Sequence, residues 1–219
     1  MDLTILIKTF RRPLLAERLV LSIKKYYPDI EILTLDDSNE DSPLGFDIGI
    51  SRGRNELVKR CNTKYCMILD DDCVFTDETN LELALRELKE KDLDILQLTT
   101  PKLVYQGLFE TNGGTVTYKH GNKDGLYDFC LNIFIAKTES LRKYPWDEEQ
   151  KIGEHFAYFY EHQGKLKIGV TKNVVIDHLH EDAAGYGQYR DRAVSFVKIY
   201  LNKKGLSKRV DLNNNIIKA

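Results

Sequence analysis

Carboxylates gather at two points in the first third of this 219-residue sequence. Three consecutive aspartates at 70–72 follow the apolar run 65–69, and Asp37 belongs to a pair that ends the apolar run 30–35. Carboxylates this close repel one another, and a divalent cation removes that cost while it bridges the phosphates of a bound nucleotide. Oxygen ligands favour Mg²⁺ or Mn²⁺. The triplet therefore indicates a metal site; the alternative is that it caps a helix or lies in a solvated turn.

Phosphate-binding groups precede the triplet. Gly49, Gly53 and Arg54 lie around the start of a predicted helix at 51–61, which leads into the strand before the aspartates. The N–H groups of such a helix N-terminus are donors for a phosphate or a base, and Arg54 could pair with a diphosphate. Asp37 could accept the ring N–H of a uracil. These residues favour a site for a nucleotide diphosphate.

Apolar runs and amphipathic segments alternate through the first hundred residues. We predict strands at 3–7, 30–35, 65–69 and 93–98, and helices at 14–26, 51–61 and 78–90. Apolar runs without alternation are typical of strands that are covered on both faces of a parallel sheet. The pattern predicts an α/β fold with a doubly wound, mostly parallel sheet. Ligands bind beyond the carboxyl ends of such strands, where both acidic clusters fall.

The second half of the chain is less regular. A hairpin is predicted at 103–118, because Asn112, Gly113 and Gly114 tolerate the positive φ of a tight turn. Further elements are predicted as strands at 129–136 and 174–176 and helices at 154–162 and 188–201. Because no repeat, low-complexity tract or linker interrupts the sequence, we expect residues 1–219 to form a single domain.

Composition limits the partners. Lys and Arg number 32 against 34 Asp and Glu, so a formal charge of −2 gives no reason to expect nucleic acid. The four cysteines have no CxxC spacing and are predicted to be reduced, and no apolar stretch reaches the length of a membrane helix or signal peptide. We expect a soluble, cytoplasmic protein. Lys203, Lys204, Lys208 and Arg209 are candidates for peripheral contact with the inner face of an anionic membrane.

Several segments together resemble a known group of enzymes. KTFRRP, LTLDDS, GISRGRN and KYCMILDDD are similar to the nucleotide-sugar half of family-two-like GT-A glycosyltransferases, and WDEEQKIGEH through VVIDHLH is similar to their acceptor half. The closest pattern is that of the β-1,4-N-acetylgalactosaminyltransferases and their bacterial relatives, over residues 3–180. The resemblance implies a GT-A fold, Rossmann-like, with helices flanking the central sheet and a smaller acceptor-side β element. It also implies a nucleotide-sugar half at 1–100 and an acceptor half with a C-terminal helix at 101–219.

The same resemblance implies an activity and a setting. The reaction would be inverting transfer from a UDP-sugar, with GalNAc, Gal or GlcNAc as the sugar, to a saccharide or glycolipid acceptor. The setting would be bacterial surface-polysaccharide or glycolipid assembly, since the chain as given has no membrane anchor like that of the animal enzymes. Acceptor selectivity would depend on residues 103–130.

The resemblance also implies roles for single residues on the donor side. Thr9, Asp37 and Arg54 would hold the uridine and its diphosphate. Asp70 and Asp72 would carry Mn²⁺ or Mg²⁺, while Asp71 would contact the ribose or sugar. His178 would be a third metal ligand, against the alternative of a histidine hydrogen-bonded at a strand end, and His180 is a weaker candidate. Arg190, on a segment made flexible by Gly185 and Gly187, would neutralise the leaving diphosphate.

Inverting transfer also needs a base that takes the proton of the acceptor hydroxyl. The resemblance places it at Glu154 or His155, where many relatives have Glu-Asp. Glu154 is favoured because a carboxylate needs little pKa tuning, although it could instead stabilise a helix N-terminus. His155 would work if it were neutral. Trp146 could be a sugar platform or part of the core.

Two other classes of function compete. A nucleotidyltransferase acting on sugar phosphates shares this kind of sheet, but it ordinarily has a glycine-rich loop after the first strand, and residues 8–13 contain no glycine. A non-catalytic sugar-binding GT-A module has no need to keep a repulsive aspartate cluster. Both observations favour the transferase.

Overall fold

A six-stranded mixed sheet lies at the centre of the protein, in a computed structural model that describes residues 1–41, 44–101, 103–179, 181 and 186–219. In chain order the elements are β1 (Leu3–Thr9), α1 (Pro13–Tyr26), β2 (Glu31–Asp36), α2 (Ile50–Arg60), β3 (Tyr65–Asp70), β4 (Cys73–Val74), α3 (Leu81–Glu90), β5 (Ile95–Thr99), β6 (Leu108–Asn112), β7 (Thr115–Lys119), β8 (Phe134–Lys137), α4 (Thr138–Lys143), α5 (Glu154–Glu161), β9 (Ile168–Val175), β10 (Asp177–His178), α6 (Gly187–Arg190), α7 (Ala193–Lys203), β11 (Lys208–Val210) and β12 (Ile216–Lys218).

The order of strands in the central sheet is β2-β1-β3-β8-β5-β9. Strand β1 pairs in parallel with β2 and β3, and β5 pairs in parallel with β9. Strand β8 is antiparallel to both β3 and β5. It runs this way because the chain leaves β5 at the carboxyl edge, forms the hairpin, and re-enters the sheet from that same edge without a crossover helix. The predicted mostly parallel sheet with flanking helices is confirmed.

Alternation along β1 explains why both faces of the sheet are buried. Ile5 and Ile7 belong to the cluster that packs Leu19 and Ile23 of α1. Leu6, between them, belongs to the opposite cluster. Successive side chains of a strand point to opposite faces, so an unbroken apolar run is needed where helices cover both.

A second sheet of four strands, in the order β12-β11-β7-β6, forms the smaller β element. The predicted hairpin is present, and Gly113 and Gly114 have φ values of +53° and +74° in its turn. Strand β11 pairs in parallel with β7, and β12 pairs with β11. These two C-terminal strands were not predicted because each is only three residues long, and such short segments carry no detectable alternation.

Some predicted boundaries are wrong. The helix expected at 188–201 is divided into α6 and α7 by a turn at Asp191 and Arg192. Helix α3 begins at Leu81 rather than at Glu78, because the side chain of Asn80 accepts a hydrogen bond from the N–H of Leu83 and caps it. The strand expected at 129–136 begins only at Phe134. Helix α4 and the short pair β4–β10 were not predicted.

Two of the basic C-terminal residues, Lys203 and Lys204, are paired with carboxylates of the same chain. Lys203 Nζ lies 3.1 Å from Asp147 and 2.7 Å from Glu149, and Lys204 Nζ lies 2.5 Å from Glu161. Contact with a membrane through these lysines is therefore not supported. Among the described residues, no helix has both the length and the apolar character needed to cross a bilayer.

Candidate active site

A cleft of about 230 Å³ opens where the carboxyl ends of β1 and β3 face the start of α5. The residues that line it come from both halves of the chain: Lys8, Thr9, Phe10, Arg12, Ile50, Arg54, Asp70, Asp71, Asp72, Ile152, Gly153, Glu154, His155, His178, Tyr186, Arg190 and Ala193. Most of the predicted site residues thus share one cavity, as expected for the carboxyl edge of an open sheet.

The three aspartates of the triplet make different contacts. Asp70 keeps 31% of its side chain exposed and accepts a 2.9 Å hydrogen bond from Arg54. Asp71 is buried, and accepts hydrogen bonds from Thr9 Oγ1 at 2.6 Å and from two nitrogens of Arg12. Asp72 is buried beside His178. Only Asp70 therefore presents an accessible carboxylate, while Asp71 fixes the loop to β1.

Arg12 supplies positive charge next to the aspartate triplet, where the sequence had suggested a metal cation. Its guanidinium pairs with Asp71 and lies 3.6 Å from Asp72. Its centre is also 4.5 Å from the ring centroid of Tyr186. Burial raises the pKa of Asp71 to about 6, although Arg12 and Thr9 act to lower it. Arg12 and Arg54 therefore relieve part of the repulsion among the aspartates, and the metal site stays a prediction.

The geometry of Asp72 and His178 nevertheless suits a cation. Asp72 Oδ1 and His178 Nε2 are 3.1 Å apart, and Oδ1 is buried without a hydrogen bond of acceptable geometry from any described residue. Adjacent ligands of an octahedral ion with metal–ligand distances of about 2.1 Å are separated by about 3.0 Å. The described residues include no group of three carboxylate, imidazole or thiol side chains already gathered around one point. The donor pair fits, and a third ligand would have to move in.

Arg54 lies between the aspartate triplet and the start of α5. The side chain is 3% exposed, and its two terminal nitrogens reach Asp70 at 2.9 Å and Glu154 Oε1 at 2.5 Å. Asn132 Nδ2 donates to the same Glu154 oxygen at 2.8 Å and lies 2.6 Å from His155 Nε2. These contacts join the end of β3 to the start of α5.

The two candidate bases differ in their protonation. Burial, the largest single effect, would raise the pKa of Glu154, but the charge of Arg54 together with the hydrogen bonds and the neighbouring His155 outweighs burial and holds that pKa below its ordinary value. Burial lowers the pKa of His155, against the effect of the neighbouring Glu154 carboxylate. Glu154 is therefore ionised and His155 is neutral near pH 7.

Asp37 lies behind the cleft rather than in its wall. The carboxylate is 1% exposed, pairs with Lys8 Nζ and accepts a 3.2 Å hydrogen bond from the N–H of Gly49. The N–H of Ile50 donates to the carbonyl of Lys151. The expectation that these N–H groups at the start of α2 are open to a phosphate is wrong. Asp37 borders a small recess beside the cleft, and its role toward uracil stays a prediction.

Gly53 is required by the close approach of Lys8. A Cβ at position 53 would lie 2.4 Å from Cδ of Lys8, so any larger residue would displace the lysine that holds Asp37. Sequence reasoning had instead treated Gly53 as a donor to phosphate. Its N–H is used by the carbonyl of Gly49 within the helix.

Residues around α6 border one side of the cleft. Tyr186 and Arg190 line it, and the ring of Tyr189 packs edge-on against Phe10 with centroids 4.8 Å apart. His180 and Gly185 lie outside the described residues. Trp146 is 2% exposed and stacks on Tyr158 at 4.3 Å, so it belongs to the core rather than to a sugar platform.

Sequence reasoning missed some residues of the site. Arg12 and Lys8 were quoted within a motif but given no role, although basic residues directly after a strand at the carboxyl edge were a usable signal. Asn132 gave no signal, because nothing in its neighbourhood marks a polar residue as buried. Tyr186 lies just before the helix predicted at 188–201 and was given no role.

Curated relatives match most of this chain. It is 32% identical over 197 residues to Beta-1,4 N-acetylgalactosaminyltransferase 2 of Mus musculus, covering 80% of this chain and 39% of the relative. It is 28% identical over 204 residues to Beta-1,4 N-acetylgalactosaminyltransferase 1 of Homo sapiens, covering 80% and 38%. The chain spans about two fifths of the length of these relatives.

Solved structures of S. aureus TarS share the fold. The complex of TarS with UDP-GlcNAc superimposes with a TM-score of 0.64 at 14% identity, covering 91% of this chain and 65% of TarS. The complex with UDP gives a TM-score of 0.61 at 16% identity, with the same coverage. At this identity the likeness establishes the GT-A fold alone.

A protein-family model also matches residues 52–213, which include Arg54, the aspartate triplet and the Glu154–His155 pair. That family is described as Poxvirus P35 protein, and the match covers more than half of the chain. The chain therefore belongs to the Poxvirus P35 protein family, has the GT-A fold, and is a homologue of the β-1,4-N-acetylgalactosaminyltransferases.

Proposed function

We propose that this protein is an inverting glycosyltransferase that moves a sugar from a UDP-sugar to a saccharide acceptor. The observation that carries the proposal is the meeting, in one cleft, of the aspartate triplet after β3 and the Glu154–His155 pair at the start of α5. Homology to the β-1,4-N-acetylgalactosaminyltransferases supports the same class of reaction. The donor is UDP-linked GalNAc, Gal or GlcNAc, and the acceptor is a saccharide or the glycan of a glycolipid.

Glu154 is the base in this proposal. The side chain lines the cleft and has a lowered pKa beside Arg54. Arg54 and Asn132 both donate to Oε1, so Oε2 is the oxygen that this proposal assigns to the acceptor hydroxyl. The acceptor hydroxyl transfers its proton to Glu154 as its oxygen forms a bond to the anomeric carbon. The bond from that carbon to the diphosphate oxygen breaks, and the electron pair leaves with UDP.

His155 is the alternative base. It is neutral and partly exposed to the cleft, but Nε2 is only 2.6 Å from Asn132 Nδ2. A lone pair that accepts a hydrogen bond from an amide is not available to an acceptor hydroxyl until that bond is released. The arrangement therefore favours Glu154 as the base and His155 as a residue beside the acceptor.

Asp70, Asp72 and His178 are the residues that would hold Mn²⁺ or Mg²⁺. The buried, unsatisfied Asp72 Oδ1 next to His178 Nε2 supports this assignment. When bound, the ion would supply positive charge that stabilises the departing diphosphate. Arg190 lines the same cleft and contributes a guanidinium toward the same charge. Thr9 and Arg54 border the diphosphate site, and Asp71 keeps the loop in place.

Four free, buried cysteines fit a reducing compartment such as the cytoplasm, which we propose as the location.

In this proposal Lys8 and Asp37 bind the donor at the small recess beside the cleft, where the uracil ring would lie. Phe10 lies at the boundary between recess and cleft and could pack against the base.

The test is a screen of UDP-sugars in the presence of Mn²⁺, with UDP release measured with and without saccharide acceptors. We expect release of UDP that rises when a suitable acceptor is added. Asp72→Ala should abolish the signal, while Asp77→Asn, an exposed aspartate outside the cleft, should leave it unchanged.

Two results would contradict the proposal. Release of pyrophosphate from a nucleoside triphosphate in the presence of a sugar phosphate would identify a nucleotidyltransferase. Binding of UDP-sugars without any turnover, across the whole donor panel and with hydrolysis also absent, would identify a non-catalytic module.

A further inference from the structure

Asn132 is a buried amide that contacts both candidate bases. It lies two residues before β8 and is 1% exposed. Its Nδ2 is 2.8 Å from Glu154 Oε1 and 2.6 Å from His155 Nε2. Neither the sequence motifs nor the resemblance to known transferases assigns it a role.

The charge of Glu154 determines which way the amide faces. Arg54 keeps Glu154 ionised, so the carboxylate accepts hydrogen bonds and cannot donate one. The reverse orientation of Asn132 would place its carbonyl oxygen against that carboxylate. The two hydrogens of Nδ2 therefore point to Glu154 and to His155.

The orientation of the amide in turn determines the tautomer of His155. A nitrogen that accepts a hydrogen bond carries no proton, so Nε2 must hold the lone pair. In a neutral imidazole the proton then lies on Nδ1. A single side chain thus holds the Glu154 carboxylate and selects the form of the histidine beside it.

We infer that Asn132 is a positioning residue, which directs Glu154 Oε2 to the acceptor hydroxyl and keeps the Nε2 lone pair of His155 from competing for its proton. This inference rests on the proposed function for its catalytic consequence. Its structural consequence, the Nδ1–H tautomer of His155, does not depend on any activity.

A purely structural role accounts for less of the geometry. Asn132 Oδ1 is buried and has no hydrogen-bond partner among the described residues. A buried acceptor left in this way costs free energy. The amide therefore satisfies Glu154 Oε1 and His155 Nε2 at the expense of its own carbonyl, and His155 Nδ1 is likewise buried without a partner among the described residues.

The first test is a two-bond ¹H–¹⁵N correlation spectrum of the histidine rings at neutral pH. The chain has five histidines, and His155→Gln identifies the signal of His155 by its loss. We expect wild-type His155 to be neutral with its proton on Nδ1. Asn132→Asp replaces the donor with an acceptor of the same size and should move the proton to Nε2, while Asn132→Ala should give a mixture of tautomers.

The second test is the steady-state kinetics of Asn132→Ala. Misplacement of a reacting group by about 1 Å can cost on the order of a hundredfold in rate, so kcat should fall about tenfold to a hundredfold. The KM for the UDP-sugar should change little, since Asn132 is not among the residues that line the cleft.

Asn173→Ala is the matched control, because Asn173 Nδ2 also donates to a glutamate, Glu87, at 2.8 Å but has no histidine partner. It should leave the spectrum and kcat unchanged. An Nε2–H tautomer in the wild type, or an unchanged tautomer in Asn132→Asp, would overturn the inference. If the wild type turned over no UDP-sugar, the proposed function would be refuted. The spectrum would still decide the tautomer of His155. Because the tautomer is measured in the wild-type protein, this test holds even if the variants of Asn132 do not fold.

Discussion

Arg54 and Glu154 form a buried ion pair across 100 residues of sequence, with Nη1 and Oε1 2.5 Å apart. Arg54 lies in α2, and Glu154 is the first residue of α5. The same guanidinium also binds Asp70. A single arginine therefore helps to keep the proposed base ionised and connects it to the first aspartate of the triplet.

Replacement of Arg54 by methionine should raise the pKa of Glu154, because burial then loses its strongest opposing effect. The acidic limb of kcat/KM against pH should consequently move to higher pH. Breaking a buried pair costs about 3–5 kcal/mol, so the free energy of unfolding should fall by that order. The exposed Arg52→Met on the same helix is the control, and an acidic limb that does not move would refute the role of the pair.

The pH dependence of that stabilisation has a definite sign. Because the pKa of folded Glu154 is lowered, the pair contributes fully at pH values above the unfolded pKa of about 4.3. The contribution is lost as the pH falls through the lower folded pKa. The difference in unfolding free energy between wild type and Arg54→Met, measured by urea titration, should thus be constant near neutral pH and shrink in acid.

Glu154→Gln should leave UDP binding intact and lower kcat by about 10²–10⁴-fold, since general base catalysis contributes about that much. His155→Gln should have a smaller effect on kcat. The measurements are isothermal titration with UDP and single-turnover transfer. The exposed Glu139→Gln serves as control. Full transfer by Glu154→Gln together with loss of transfer in His155→Gln would reverse the assignment of the base.

Metal removal should weaken UDP binding. At a UDP concentration about 100 times Kd, binding adds about 2.7 kcal/mol to stability. For a chain of this size, that corresponds to a rise in Tm of roughly 5–10 °C, at about 2–4 °C per kcal/mol. We expect the rise with Mn²⁺ present, and its loss with a chelator or in Asp72→Ala. A rise of equal size in the chelator would show that no cation takes part.

Arg12→Gln should destabilise the protein, because it leaves Asp71 buried without its principal charge partner. The expected loss is about 3–5 kcal/mol in the free energy of unfolding, measured by urea titration. The neighbouring Arg11→Gln provides the comparison, because Arg11 is exposed and its guanidinium lies over the rings of Phe46 and Tyr189. Equal losses in the two variants would contradict a specific role for Arg12.

The parallel strands of the sheet and the position of the acidic residues could be predicted from the sequence alone. The unbroken apolar runs of β1 and β3 require cover on both faces, and the aspartates directly follow a strand, so the carboxyl edge was predictable. Periodicity carries this information because it depends only on neighbouring residues. The same reasoning fails at β8, whose direction depends on where a long connection re-enters the sheet.

The pairing of the charged residues depends on the packed chain. Asp70, Asp71 and Asp72 are equivalent in the sequence, yet one meets Arg54, one meets Arg12 and one meets His178. These partners lie between 16 and 106 positions away, and burial, which sets their pKa values, is a property of the packed chain. The meeting of Asn132, Glu154 and His155 likewise needs β8 and α5 in place, because hydrogen bonds between distant residues leave no local pattern.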